Sequence, residues 1–295
     1  MTRDLLSELS SGPLLCDGAM GTQLMARGLA SGECASLWNV DHPDAILEVH
    51  RAYANAGCRL VTTNTFGASA FSLARHGLED RVAELNRAGA GLARTAAGES
   101  GFVLGDVGPF GDFLEPLGDT TAEQLHAIFR AQIAALVEGG ADAVLVETMS
   151  DPAEAEVAIA AARDVASLPV ITTFAFQKSA DGSFRTMMGT TAGQMVEQMV
   201  AAGADVVGAN CGTGLSLEDY VALAADLVRA AGDTPVILQP NAGAPQVVGG
   251  QTVYLATPEE MAALVPALLD AGVRIIGGCC GTTPGHLGAM AKALS

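Results

Sequence analysis

Eight short apolar runs alternate with longer helical stretches along this 295-residue chain. Each run ends in small or polar residues, and the stretch that follows it spaces its apolar residues as a helix does. A strand followed by a helix, repeated, is typical of parallel strands covered on both faces. Eight repeats favour a closed (β/α)8 barrel over an open doubly wound sheet. The runs span residues 14–17, 60–64, 102–106, 143–147, 169–174, 206–210, 235–239 and 274–278.

The predicted helices carry ordinary start and stop signals. Thr257-Pro258 and Thr283-Pro284 each place a proline just inside a helix, behind a capping threonine. Glycines such as Gly203 follow the helix ends, where a positive φ is often needed. No linker or composition break divides the chain, so we predict one α/β domain over residues 1–295. The predicted helices span residues 43–56, 80–97, 121–139, 152–165, 192–202, 217–231, 258–271 and 284–294.

Charge and composition exclude several classes of partner. With 15 basic and 33 acidic residues, the net charge of −18 would repel nucleic acid and anionic membrane surfaces. The N-terminal residues lack the apolar core of a signal peptide, and no apolar stretch of about 20 residues predicts a membrane span. The six cysteines are too few to indicate a disulfide framework. We therefore expect a cytoplasmic protein.

Polar side chains and thiols follow the predicted strands, at the end where barrel enzymes hold their reacting groups. Because these ends meet at one rim, we expect their side chains to converge there. They are Cys16, Asp17, Gly18, Thr63, Asn64, Thr65, Asp106, Glu147, Asn210, Cys211, Asn241, Cys279 and Cys280.

Three of these residues are cysteines that suggest a metal site. Cys279 and Cys280 would point to opposite faces of a regular strand, but the neighbouring glycines permit a turn that brings them together. With Cys211 they make three thiols, and three protein ligands with one open position are typical of catalytic zinc. Sulfur ligands also favour zinc over magnesium or calcium. Two alternatives remain open at this point: cysteines that pack as small hydrophobes, and a vicinal disulfide.

The acidic residues allow more than one function. Asp17 and Glu147 could hold an ammonium group, act as acid and base, or bond to loop amides as structural carboxylates. Asp106 fits the same description without an independent role. The five histidines form no ligand pattern, and the chain has no phosphate loop, dinucleotide fingerprint or nucleophile elbow.

The segments around these residues resemble the homocysteine S-methyltransferase family, and most closely its homocysteine-binding module in cobalamin-dependent methionine synthases. The similarity runs from about residue 11 to residue 294 and keeps the family's order. It rests on CDGAMGTQLMARGL, TTNTFGASAFSLARHGL, GANCGTG, QPNAGAPQ and GGCCGTTPGHL. The resemblance implies a TIM-type barrel that uses zinc.

Several residue roles follow from the resemblance. It implies that Cys211, Cys279 and Cys280 are the zinc ligands, and that Asn241 occupies the fourth zinc position when substrate is absent. It implies that Asp17 and Glu147 hold the homocysteine amino group. Gly18 and the segment Thr63, Asn64 and Thr65 are expected to line the same pocket.

The expected reaction is methyl transfer to the thiolate of L-homocysteine, giving methionine. The QPNAG and TNTFGA segments look most like the cobalamin-dependent branch, although the chain lacks the corrinoid-binding DxHxxG motif. Methylcobalamin is therefore expected from a separate corrinoid protein. Alternative donors are S-methylmethionine, S-adenosylmethionine and betaine. A demethylating enzyme, a non-catalytic partner of a corrinoid system, and an acid–base aldolase or isomerase are the competing functions.

Overall fold

A computed structural model describes residues 4–249 and 251–294, and eight parallel strands form its centre. Each strand coincides with one of the predicted apolar runs. We number them β1 to β8: Leu14–Leu15, Leu60–Thr62, Phe102–Val107, Ala143–Met149, Val170–Phe174, Val206–Cys211, Val236–Pro240 and Ile275–Ile276.

The strands close into a barrel. Seven consecutive neighbours pair in parallel from β2 through β8, and β8 pairs with β1. A parallel bridge between Cys16 and Leu60 joins the two remaining edges, and Asp17 N donates to Leu60 O at 3.0 Å. The (β/α)8 prediction is confirmed.

Helices surround the strands, and all eight predicted helices are present. Four further short helices, which were not predicted, lie in the first part of the chain. In chain order, α1 to α12 are Leu5–Ser11, Gly21–Met25, Trp38–Asp41, Pro43–Asn55, Ala70–Ala74, Val82–Ala97, Ala122–Glu138, Pro152–Val165, Ala192–Ala202, Leu217–Ala231, Pro258–Ala271 and Pro284–Leu294.

Local signals explain where these helices begin and end. Thr257 caps α11 through a capping box with Glu260, which satisfies backbone donors that a helix start leaves free. Gly203 ends α9 with a φ of 100°, as the predicted helix stop requires.

The barrel interior is apolar at its N-terminal end. Side chains from all eight strands form one buried cluster there, and Leu5 and Leu9 of α1 join it. Arg59 and Arg274, which stand just before β2 and β8, bond to Glu8 and to Leu9 O of the same helix. Helix α1 therefore closes this end, and we call the cluster with its helix the floor.

The opposite end, the mouth, is built from the loops that follow the strands. Two of these loops carry antiparallel hairpins, one pairing Gln177–Lys178 with Phe184–Arg185 and the other pairing Gln246–Val248 with Gln251–Val253. Within the described residues, the helices are all too short or too polar to cross a membrane.

Candidate metal and substrate site at the barrel mouth

The three predicted cysteines meet at the mouth. Cys211 is the last residue of β6, and Cys279 and Cys280 follow β8. Their sulfur atoms lie within 4.8 Å of one another, the Sγ of Cys280 being 3.9 Å from that of Cys211 and 4.0 Å from that of Cys279. All three are free thiols, so the vicinal disulfide is not formed.

The spacing of the thiols fits a zinc ion. Zinc–sulfur bonds of about 2.3 Å in a tetrahedron place neighbouring sulfurs roughly 3.8 Å apart. The two measured separations agree with that value without any movement of the backbone. A calcium or magnesium ion would need oxygen ligands instead.

Unusual backbone conformations direct these side chains. Among the described residues, two that are not glycine have a positive φ: Cys211 at 54° and Thr148 at 61°. Both stand at strand ends on the mouth, where strained conformations often serve function. Gly281 has a φ of 80°, and a Cβ there would come within 2.3 Å of Tyr254 Cβ. The turn after Cys280 therefore requires glycine.

The thiols share a negative charge. Hydrogen bonds from Cys211 and Cys279 lower the pKa of Cys280 to about 3. Hydrogen bonds with Cys211 and Cys280, together with burial, raise the pKa of Cys279 well above its usual range. These hydrogen bonds favour the thiolate form at Cys280 and the thiol form at Cys279, and a divalent cation would stabilise all three as thiolates.

Asn241 lies beside the thiols. Its Nδ2 donates to Gly212 O at 3.3 Å, and its backbone N donates to the hydroxyl of Tyr220. That hydroxyl in turn donates to Cys211 O. The Oδ1 of Asn241 is buried without a partner. An oxygen held next to Cys211 and left unbonded suits the fourth ligand position that the resemblance implies.

Asp17 is fixed at the end of β1. Its two carboxylate oxygens accept from the backbone N and the hydroxyl of Thr62, both at 2.8 Å. The side chain thereby continues the β1–β2 ladder at the point where β1 ends. Burial raises the pKa of Asp17 to about 7, against the opposite effect of these hydrogen bonds.

Glu147 and Asp106 complete a group of three carboxyls in the mouth. Burial and the charge of Asp17 raise the pKa of Glu147 to about 8. Burial and the charge of Glu147 raise the pKa of Asp106 well above its ordinary value. Like charges in a buried space favour bound protons or a bound cation, and an ammonium group would serve.

The remaining predicted pocket residues are held differently. A Cβ on Gly18 would lie 2.5 Å from Thr282 Oγ1, so this glycine permits a close approach of two loops. Thr63 and Thr65 bond to each other and to the backbone of Asp106, while Asn64 donates to Ala35 O. These side chains bond to the protein, and their lining of a substrate pocket stays a prediction.

Sequence reasoning gave Asn210 no role beyond its place at a strand end, and it missed Tyr220 and Tyr254. Asn210 Nδ2 donates to Cys279 Sγ at 3.7 Å and to Thr148 Oγ1 at 2.6 Å. Tyr220 lies on a helix, and Tyr254 lies in the loop after the second hairpin, near Cys280. The place of Asn210 at the strand end was predicted, whereas no local signal marks the two tyrosines.

Several apolar side chains are exposed on the segments that follow the strands. Ten large hydrophobic residues are exposed among the described residues, and nine of them lie between a barrel strand and the long helix that follows it, Met25 at the end of the short helix α2. The nine are Met25, Phe66, Phe113, Leu117, Met187, Met188, Val247, Val248 and Leu255. We call these nine residues the rim. Apolar surface of this kind often marks a binding face.

Comparison with known proteins gives several relatives. Methionine synthases of Mycobacterium tuberculosis and Mycobacterium leprae are 32% and 31% identical over 99% of this chain. The chain spans 25% of each, about a quarter of their length. The metallated homocysteine methyltransferase MmuM from Escherichia coli has a TM-score of 0.79 at 26% identity, covering 98% of this chain and 99% of that one. A methyltransferase from Methanosarcina mazei, at 10% identity and a TM-score of 0.61, shares the fold.

The family model matches nearly the whole chain. Described as "Homocysteine S-methyltransferase", it covers residues 14–294. That range includes all eight strands and each of the three thiols. The chain belongs to the homocysteine S-methyltransferase family.

Proposed function

We propose that this barrel transfers a methyl group to the sulfur of L-homocysteine, giving methionine, with a zinc ion on Cys211, Cys279 and Cys280. The observation that carries the proposal is the thiol cluster, whose sulfurs stand 3.9 and 4.0 Å apart. Glu147 feels the charge of Cys280, and Asp17, Glu147 and Asp106 form a group of carboxyls that suits an amino group. A ligand with a thiol and an ammonium group matches both halves.

The thiol of homocysteine needs activation, because a free thiol with a pKa near 8.5 is mostly protonated at neutral pH. When bound, zinc would supply that activation by favouring the deprotonated sulfur. Cys211, Cys279 and Cys280 would hold the ion, and Asn241 Oδ1, which has no partner, is available beside them. The hydrogen bond from Asn241 Nδ2 to Gly212 O keeps that side chain in place.

Asp17 and Glu147 would orient the substrate through its ammonium group. Thr62 holds Asp17 by two hydrogen bonds, so the carboxylate stays in place when substrate leaves. An ammonium group would lower the pKa of both carboxyls and release their protons. Fixing the amino acid end holds the sulfur in line with an incoming methyl group.

The methyl donor we propose is methylcobalamin, supplied by a separate corrinoid protein that docks over the mouth. Identity to the two methionine synthases supports this choice. The exposed rim supports a protein partner, because a protein that carries the donor must cover the loops around the sulfur.

The test is a donor comparison with zinc-loaded, reduced protein. Homocysteine would be offered free methylcobalamin, a methylated corrinoid protein, S-methylmethionine, S-adenosylmethionine or betaine, and methionine would be measured. We expect turnover with the corrinoid donors and none with Cys280→Ala. Turnover with a sulfonium or betaine alone would contradict the donor. If the protein only moved a methyl group from methionine to the reduced corrinoid, the proposed direction of transfer would be reversed. No transfer with any donor would favour a non-catalytic role.

A further inference from the structure

Asp106 is a buried acid that the proposed reaction has not used. It lies near the end of β3, two residues after Leu104, whose side chain belongs to the interior cluster. Residues two apart on a strand share a face, so Asp106 faces the barrel interior one layer above the floor. Its register partner on β4 is Leu145, and Glu147 lies two residues further along that strand.

The backbone of Asp106 is firmly held, but its carboxyl is not. Asp106 N donates to Thr63 Oγ1 at 2.9 Å, and Asp106 O accepts from Thr65 Oγ1 at 2.8 Å. The residue is 3% exposed, and its Oδ1 is buried with no hydrogen-bond partner. Leaving a buried carboxyl unpaired costs free energy, so the fold gives this acid no structural reason to be there.

The surrounding wall holds further acceptors without partners. Asn210 Oδ1 and Gln239 Oε1 are buried acceptors without partners, and the two residues are register partners near the mouth ends of β6 and β7. Glu147 and Asp17 add negative charge next to Asp106. Within the described residues, Asp106, Asn210 and Gln239 thus offer acceptors without partners, and none of the ion pairs involves Asp17, Asp106 or Glu147. Such a set suits a ligand that brings N–H groups and positive charge.

We propose that Asp106 contacts the amino group of homocysteine from the interior side of the pocket, as a third substrate-binding acid beside Asp17 and Glu147. The inference rests on the proposed function, since it places homocysteine in this mouth. An ammonium group has three N–H donors, and three carboxyls on different strands can each accept one. Such a site selects an α-amino thiol over a thiol that lacks the amino group.

The experiment pairs a change in the protein with a change in the ligand. Zinc-loaded wild type and Asp106→Asn would be titrated calorimetrically with L-homocysteine and with 4-mercaptobutanoate, which lacks only the amino group. Asp119→Asn is the matched control, since Asp119 is an exposed aspartate of the loop after β3. Asp106→Ser is a second variant in case the first does not fold.

We expect Asp106→Asn to bind homocysteine at least about tenfold more weakly, the loss typical of a charge-assisted hydrogen bond. Its affinity for 4-mercaptobutanoate should stay within about twofold of wild type, as should both affinities of Asp119→Asn. If Asp106→Asn lost equal affinity for both ligands, the proposed contact would be overturned. It would also be overturned if the variant lost affinity for neither ligand, and ordered water would then be the partner of Oδ1. Wild type that fails to bind homocysteine would instead overturn the proposed function itself.

Discussion

The floor and the mouth are two ends of one barrel interior with opposite character. At the floor, the inward side chains are apolar and buried, and α1 covers them. At the mouth, three of the same strands carry Asp106, Asn210 and Gln239 on their interior face, each with a buried oxygen that has no hydrogen-bond partner. Substitution at the floor should therefore change stability, and substitution at the mouth should change binding. This division is general for barrel enzymes.

The largest effect is expected where the mouth holds metal. Cys280→Ala should weaken zinc binding by about 100-fold or more, because one of three sulfur ligands is lost. Zinc content after dialysis is the measurement, with methyl transfer falling below detection. Cys34→Ala is the control, since Cys34 lies outside the cluster. Full zinc content in Cys280→Ala would remove this cysteine from the site.

Phe102→Ala tests the floor. Phe102 is 1% exposed and packs in the interior cluster, so truncation should lower the free energy of unfolding by roughly 3–5 kcal/mol. Urea unfolding of the zinc-loaded protein measures the loss. At low temperature the folded variant should still bind zinc and homocysteine as wild type does, and a large loss of affinity there would break the division between the two ends.

Glu147→Gln tests the mouth, where we expect a loss of homocysteine binding and no loss of stability, the reverse of Phe102→Ala. Losing a charge that meets the ammonium should weaken homocysteine binding by about tenfold, which calorimetry measures. In the metal-free, reduced protein the pKa of Glu147 is raised to about 8 and that of Asp17 to about 7. At these two carboxyls the folded state then binds more protons than the unfolded state between roughly pH 4 and pH 8, so their contribution to stability falls as pH rises through that window.

Glu147→Gln should flatten the upper part of that fall and, at pH 8.5, raise the free energy of unfolding by up to roughly 4–5 kcal/mol, at about 1.4 kcal/mol for each unit by which the pKa is raised. Urea titrations of both proteins at pH 5.5, 7 and 8.5 show this directly. A variant that is less stable than wild type at pH 8.5 would mean that Glu147 stabilises the fold.

The smallest effect concerns the rim. Val247→Ser changes a side chain that is 78% exposed, so stability and homocysteine affinity should not move. The KM for a methylated corrinoid protein should rise about two- to fivefold, while the rate with free methylcobalamin is unchanged. Steady-state kinetics with both donors separates the two. An equal change for both donors would place Val247 in the small-molecule site.

The strands were predictable because burial on both faces leaves continuous apolar runs, such as 102–106, that polar residues end. The thiol cluster was predictable for a similar reason, since parallel strands bring their ends to one rim. Helix α1 was not predicted: it has seven residues, and two of them, Leu5 and Leu9, are buried. So short a pattern carries little helical signal before the floor is known.

Other parts of the site depend on tertiary contacts that spacing does not encode. Tyr220 belongs to α10 by its helical pattern, and its hydroxyl reaches Cys211 O only because α10 packs behind β6. Thr63 looked like a pocket residue from its place after β2, yet its hydroxyl bonds to the backbone of Asp106. Position along a strand gives the rim, whereas the direction of each side chain depends on neighbouring loops.

Proton release on homocysteine binding tests the central claim most directly, and it requires no choice of methyl donor. Zinc-loaded, reduced protein would be titrated with L-homocysteine near pH 7 in buffers of different ionisation enthalpy, with Cys280→Ala as the control. The account predicts that about one proton per site is released from the homocysteine thiol. The carboxyls release protons as well, and their share is measured by the difference from Glu147→Gln and from 4-mercaptobutanoate, which has no amino group. In Cys280→Ala the release of the homocysteine thiol proton should disappear. Tight binding by wild type without that proton would contradict activation of the substrate thiol at these three cysteines.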